Sequence, residues 1–158
     1  MFKKVVIFIL VIAVLAVAYL LISPLFINKM VDEKIEDIKP VTEVAPGVVP
    51  QIESKTVSTG NFSGLAGHDG SGTALLIKTN NKYYLRLEDD FKVTNGPDLF
   101  VYFGKDGKYD ANAKIAELKG NIGGQNYEVP EGINAADFNE VWIWCRAFSV
   151  PFGKAVLQ

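Results

Sequence analysis

The chain has 158 residues, 49% of them hydrophobic and 22% charged, with a formal net charge of -2. That length suits one domain plus appendages, and with no run of Lys or Arg after residue 4 nothing suits a phosphate backbone, which excludes nucleic acid as a partner. One cysteine and one histidine leave no material for an internal disulfide, a C-x-x-C pair, a four-cysteine iron–sulfur site, a blue-copper centre or a c-type haem attachment.

The first element in chain order is apolar: residues 5–22 carry no charge. About 20 apolar residues span a bilayer core, so a transmembrane helix is predicted, with residues 1–27 as an anchor. "AVA" at 16–18 resembles a signal-peptide cleavage site, but the apolar run continues past it and favours an uncleaved anchor. Lys3 and Lys4 ahead of the helix favour a cytoplasmic N-terminus, which makes this a single-pass membrane protein with its domain outside. Val31, Ile35 and Ile38 then fall at helical spacing and predict a short stalk. Pro40 ends it, and "PVTEVAPGVVPQIES" has no period and reads as an extended linker. Stalk and linker occupy residues 28–53.

Residues 54–158 are predicted to form an all-β domain, an antiparallel β-sandwich or small barrel, behind the one transmembrane helix. "TALLIKT" and "KYYLRLE" flank Asn80 and Asn81, a two-residue hairpin signal because Asn tolerates positive φ. "DLFVYFG", "AKIAEL", "QNYEVP", "EVWIWCRAF" and "GKAVL" bring the count to about eight strands. Only "NAADF" looks helical, for one turn. The glycine-rich "KGNIGGQNY" precedes a strand pattern, and so reads as a hairpin loop; a phosphate cradle would open a helix.

Chemistry narrows to few residues. On a strand, Val141, Ile143, Cys145 and Ala147 share one face, and Trp142, Trp144, Arg146 and Phe148 the other. Arg146 therefore points away from the thiol. The cysteine face is small and apolar, as a core is, and buried thiols without a cationic neighbour are inert. His68, in "AGHDGSGTA", could approach Cys145 as base or ligand, or could be a solvated loop residue.

"GNFSGLAGHDGSGTALL", "LRLEDDFKVTNGPDLFVYF", "LKGNIGGQNYEVP" and "VWIWCRAFSVPFGKAVL" resemble, in that order, the blocks of the DM-thirteen domain. That module accompanies DOMON domains in animal Skeletor-type proteins and stands alone in many prokaryotic membrane-anchored proteins. The resemblance runs from about Gly60 to the C-terminus. It implies an extracytoplasmic all-β module with an electron-transfer role, exercised through a characteristic cysteine as a bare thiol or by holding a group such as haem. Cys145 matches that cysteine, His68 the histidine of the first block, and Asp98 the aspartate after the Gly-Pro turn. Two readings of the chain follow. Either Cys145 exchanges electrons with a redox partner protein or bound cofactor, or the domain binds a surface ligand or protein and Cys145 fills its core.

Overall fold

The computed structural model describes residues 2–23, 27–38, 54–79 and 82–158, the side chains of residues 2, 20 and 21 apart. The expected linker from Pro40 to Glu53 and the turn residues Asn80 and Asn81 lie outside the described residues.

The N-terminal stretch forms a helix, α1 (Phe2–Ile22). Among the described residues no helix is long and apolar enough to cross a membrane. Lys3 and Lys4 charge its first turn, so its uncharged run begins only at Val5. At 1.5 Å per residue the uncharged run of residues 5–22 is about 27 Å, short of a hydrocarbon core of roughly 30 Å. The expected transmembrane helix is corrected accordingly, and with it the single-pass placement of a cytoplasmic N-terminus and an outside domain.

The expected helical stalk also takes another form. Residues 27–34 are extended, with a single 3₁₀ turn at Ile35–Asp37, because their backbone finds partners on the β domain. Val31 N–H donates to the Ile122 carbonyl at 2.9 Å and Glu33 N–H to that of Gly124 at 3.0 Å. The Lys119 ammonium donates to both Glu33 carboxylate oxygens at 2.8 Å, and the Asn126 N–H to one of them at 2.8 Å.

Burial works against the Glu33 charge, but Lys119 and the Asn126 N–H outweigh both burial and the like charge of Asp37, so its carboxyl sits below the usual value of 4.5. A depressed folded value means a contribution present in full above the unfolded value and lost as pH falls through the folded one. Residues 27–38 lie as a strap on the β domain, and the strap is therefore expected to loosen only in acid, below pH 4.5. Shifts of the Val31 and Glu33 amide signals with pH would report it, and signals indifferent to acid would refute it.

The β domain has ten strands among the described residues: β1 (Ser54–Gly64), β2 (Gly70–Ser71), β3 (Thr73–Thr79), β4 (Lys82–Leu87), β5 (Lys92–Val93), β6 (Leu99–Lys105), β7 (Lys108–Glu117), β8 (Gln125–Glu128), β9 (Glu140–Cys145) and β10 (Val150–Val156). Eight of them form one antiparallel sheet in the order β7-β6-β9-β10-β1-β3-β4-β8, and β2 and β5 pair separately. The chain is thus mostly antiparallel β. The expectation of a two-sheet sandwich or closed barrel behind a membrane helix is corrected to a single sheet curled into a half-barrel. Its two halves still face each other across the core as sandwich layers do.

Strand β1 is the reason. It pairs with β3 from Ser54 to Asn61, through a bulge between Thr56 and Ser58, and then with β10 from Phe62 to Gly64. Gly60 stands where the partners change, and a Cβ there would lie 2.3 Å from the Val156 carbonyl oxygen. Only glycine allows the sheet to fold over at that point.

Strand β6, "LFVYFGK", is buried on both faces. Leu99, Val101 and Phe103 point into the core opposite Cys145, Ile143 and Val141 of β9. Phe100 and Tyr102 point outward opposite Trp144 and Trp142, where they form a second apolar cluster. The period of two read from the sequence places Cys145 at the end of the core face.

Candidate functional site

Cys145 is a free thiol with 0% exposure. Its Sγ donates to the Pro97 carbonyl at 3.1 Å, which makes a buried polar group a satisfied one. Pro97 belongs to the turn at residues 95–98 leading into β6. Asp98 holds φ +60° in that turn, a conformation that non-glycine residues adopt only where the surroundings fix it. The fixing comes from Arg146, whose backbone N–H donates to the Asp98 carbonyl at 3.1 Å and whose guanidinium donates to both carboxylate oxygens at 3.0 Å. The Asp98 carboxylate raises the Arg146 pKa above its ordinary value. The guanidinium also lies 4.5 Å from the centre of the Phe100 ring, on the face opposite the thiol.

His68 joins the same neighbourhood from the other side. Its imidazole stacks on Phe152 with ring centres 3.7 Å apart and planes 12° apart. Phe152 in turn packs on Gly96, where an added Cβ would come within 2.7 Å of its ring. The thiol, the turn, the phenyl ring and the imidazole are therefore contiguous. The thiol hydrogen goes to Pro97, not to His68, and the imidazole reaches that region through Phe152. Reading the sequence brought Cys145, His68 and Asp98 forward but missed Pro97 and Phe152, which connect them. The signal for Phe152 was its place in the last of the resembling blocks, "VWIWCRAFSVPFGKAVL"; a carbonyl such as that of Pro97 leaves no sequence signal.

The turn also borders an open cleft of about 540 Å³, lined among others by Asn95, Pro97, Asp98, Lys119 and Asn121 and by Ile27 and Lys29 of the strap. Cys145 is not among its lining residues. Haem does not fit this site. A haem ligand must present its sulfur to an apolar slot, whereas the Cys145 sulfur is wholly covered and engaged with a carbonyl. Among the described residues no group of three or more His, Cys, Asp or Glu could hold a metal ion.

On the outer face of β9 the Tyr109 and Trp144 rings stack at 4.1 Å, and Glu140, 5% exposed, gathers three donors. The Gly107 N–H donates to it at 3.2 Å, the Trp142 indole at 3.0 Å and the Lys154 ammonium at 3.1 Å.

A family model described as "Electron transfer DM13" matches residues 61–157. Comparison with curated proteins and with solved structures finds no match. The matched region runs from the middle of β1 through β10, contains the thiol, the turn, His68 and the Arg146–Asp98 pair, and covers more than half of the chain, which therefore belongs to the DM13 electron-transfer family.

Proposed function

We propose that Cys145 is the group through which this member of the family exchanges electrons, as a bare thiol gated by the turn at residues 95–98. The observation that carries the reading is the bond from Sγ to the Pro97 carbonyl, 3.1 Å long, because Pro97 also lines the open cleft. A displacement of that one turn joins the thiol to solvent. Methionine occurs only at Met1 and Met30, so Cys145 is the only sulfur of the β domain. Asp98 and Arg146 hold the gate, and His68 positions it through Phe152.

The reaction is thiol–disulfide exchange with a disulfide-bearing partner. The thiol gives up its proton and Sγ attacks one sulfur of the partner disulfide. A new S–S bond forms to Cys145, the partner S–S bond breaks, and the departing sulfur takes up a proton. The Cys145 sulfur is oxidised and the departing sulfur is reduced.

A second reading, a ligand- or protein-binding domain with a structural Cys145, is favoured by the 0% exposure of the residue. Intact-mass measurement separates the two. Under the redox reading the native chain forms a mixed disulfide with an added low-mass disulfide, and Arg146→Ala speeds its formation several-fold while leaving the unfolding midpoint nearly unchanged. Modification only at the rate of global unfolding, in both chains, leaves the structural reading standing.

A further inference from the structure

The loop "KGNIGGQN" carries an extended segment of this same chain against it. Residues 29, 31 and 33 of the strap lie against Gly120, Gly123 and Gly124. An added Cβ would stand 2.4 Å from the Lys29 carbonyl oxygen at Gly120, 2.2 Å from that of Val31 at Gly123, and 2.7 Å from that of Glu33 at Gly124. Every second strap residue thus meets a position where no side chain fits, which is the spacing of a β-strand laid along a groove. The loop owes its glycines to this approach, a reason that a hairpin loop alone does not supply.

Most of the bonds in the groove go to the strap backbone. Besides the two donations from Val31 and Glu33, the Asn121 side chain accepts from Lys29 N–H at 2.7 Å. Arg86, 3% exposed, donates to the Glu33 carbonyl at 3.0 Å, and the Asn126 side chain donates to the Lys34 carbonyl at 2.7 Å. Such bonds accept almost any sequence. Two strap side chains are also read: the Asn121 amide donates to the Asn28 side-chain oxygen at 2.9 Å, and Lys119 and the Asn126 N–H form a socket that closes on the Glu33 carboxylate with charge-assisted bonds. Met30, between the inward positions, is exposed. The groove lies inside the family-matched residues 61–157, and the strap that fills it lies outside them.

We infer that the groove at residues 119–126 is a peptide-binding site that works by strand addition, that it takes an extended segment carrying a carboxylate side chain, and that this chain fills it with its own residues 28–34. Tethering gives the strap a high effective concentration, so an outside peptide enters only when the strap is weakened. This inference is independent of the role of Cys145.

The test uses the full chain and a synthetic peptide of residues 27–38. In the Glu33→Ala chain the peptide shifts the amide signals of Ile122 and Asn126 saturably. The same peptide carrying Glu33→Gln binds roughly tenfold or more weakly, the cost of losing a charge-assisted pair. The unaltered chain requires much more peptide. Gly123→Val, which closes the groove at a φ of +92°, abolishes the binding while far-ultraviolet circular dichroism keeps its β signature. If the Glu33→Ala chain unfolds, Val31→Pro with excess peptide replaces it, since proline removes the strap N–H that bonds to Ile122 and leaves the socket intact. Absence of saturable shifts, or equal binding of the Gln peptide, overturns the inference.

Discussion

Glu140→Ala is expected to lower stability by about 2–4 kcal/mol. Breaking a buried ion pair from one side costs roughly 3–5 kcal/mol because the other charge is left uncompensated. The Lys154 side chain keeps 25% of its exposure and can turn toward water, which lowers the figure. Against that, the Trp142 indole and the Gly107 N–H lose the same acceptor, and Trp142 is itself buried. Glu140→Gln retains an oxygen for those two donors and is expected to cost about half as much, the charge being the part it loses. Urea unfolding followed by tryptophan fluorescence gives both values. A change under about 0.5 kcal/mol for Glu140→Ala would show that the carboxylate does not hold the β6–β7 turn to β9.

Much of this arrangement was legible from side-chain alternation. "TALLIKT" is β3 residue for residue, "KYYLRLE" holds β4, and the single helical turn in "NAADF" is the 3₁₀ turn Ala135–Asp137. The two faces of β9 came out as read as far as Cys145, with Val141, Ile143 and Cys145 in the core cluster; beyond it Arg146 to Ser149 form an exposed turn, so Ala147 and Phe148 leave the faces expected of them.

What escaped was governed by partners distant in sequence. Strand β1, "SKTVSTGNFSG", has only two large apolar residues, and Val57 is 48% exposed; it is a strand because β3 and β10 claim its backbone on either side. Without it the remaining short strands, set off by glycine turns, read as a sandwich or small barrel in place of one curled sheet. The strap shows the same failure from the other direction. Val31, Ile35 and Ile38 fit a helical period, but three glycines some ninety residues away offer the backbone an extended partner, and tertiary pairing overrides a weak local preference. Asp98 and Arg146 are likewise a pair no spacing announces, created when β6 and β9 align.

The remaining expected result concerns Cys145, where packing and bonding make opposed demands. Cys145→Ala removes one buried heavy atom and leaves the Pro97 carbonyl without its donor. That carbonyl belongs to a turn bordering the cleft, where water can serve it, so the cost is expected to be about 1 kcal/mol. Cys145→Ser keeps a donor but sets a hydroxyl among Leu99, Val101 and Ile143 of the core, and its shorter bond reaches less far toward Pro97. A cost of roughly 1–3 kcal/mol, above that of alanine, is expected. The reverse order, serine milder than alanine, would mean that the bond to Pro97 outweighs packing.

The same comparison bears on the gate. Asp98→Asn weakens the clamp from Arg146 but touches no core atom. If the turn opens on its own, Asp98→Asn raises the native-state alkylation rate of Cys145 several-fold at an unchanged unfolding midpoint, because local opening and global unfolding are then separate events. If rate and midpoint move only together, the thiol is uncovered by unfolding alone, and a buried sulfur that no partner can reach under native conditions transfers nothing.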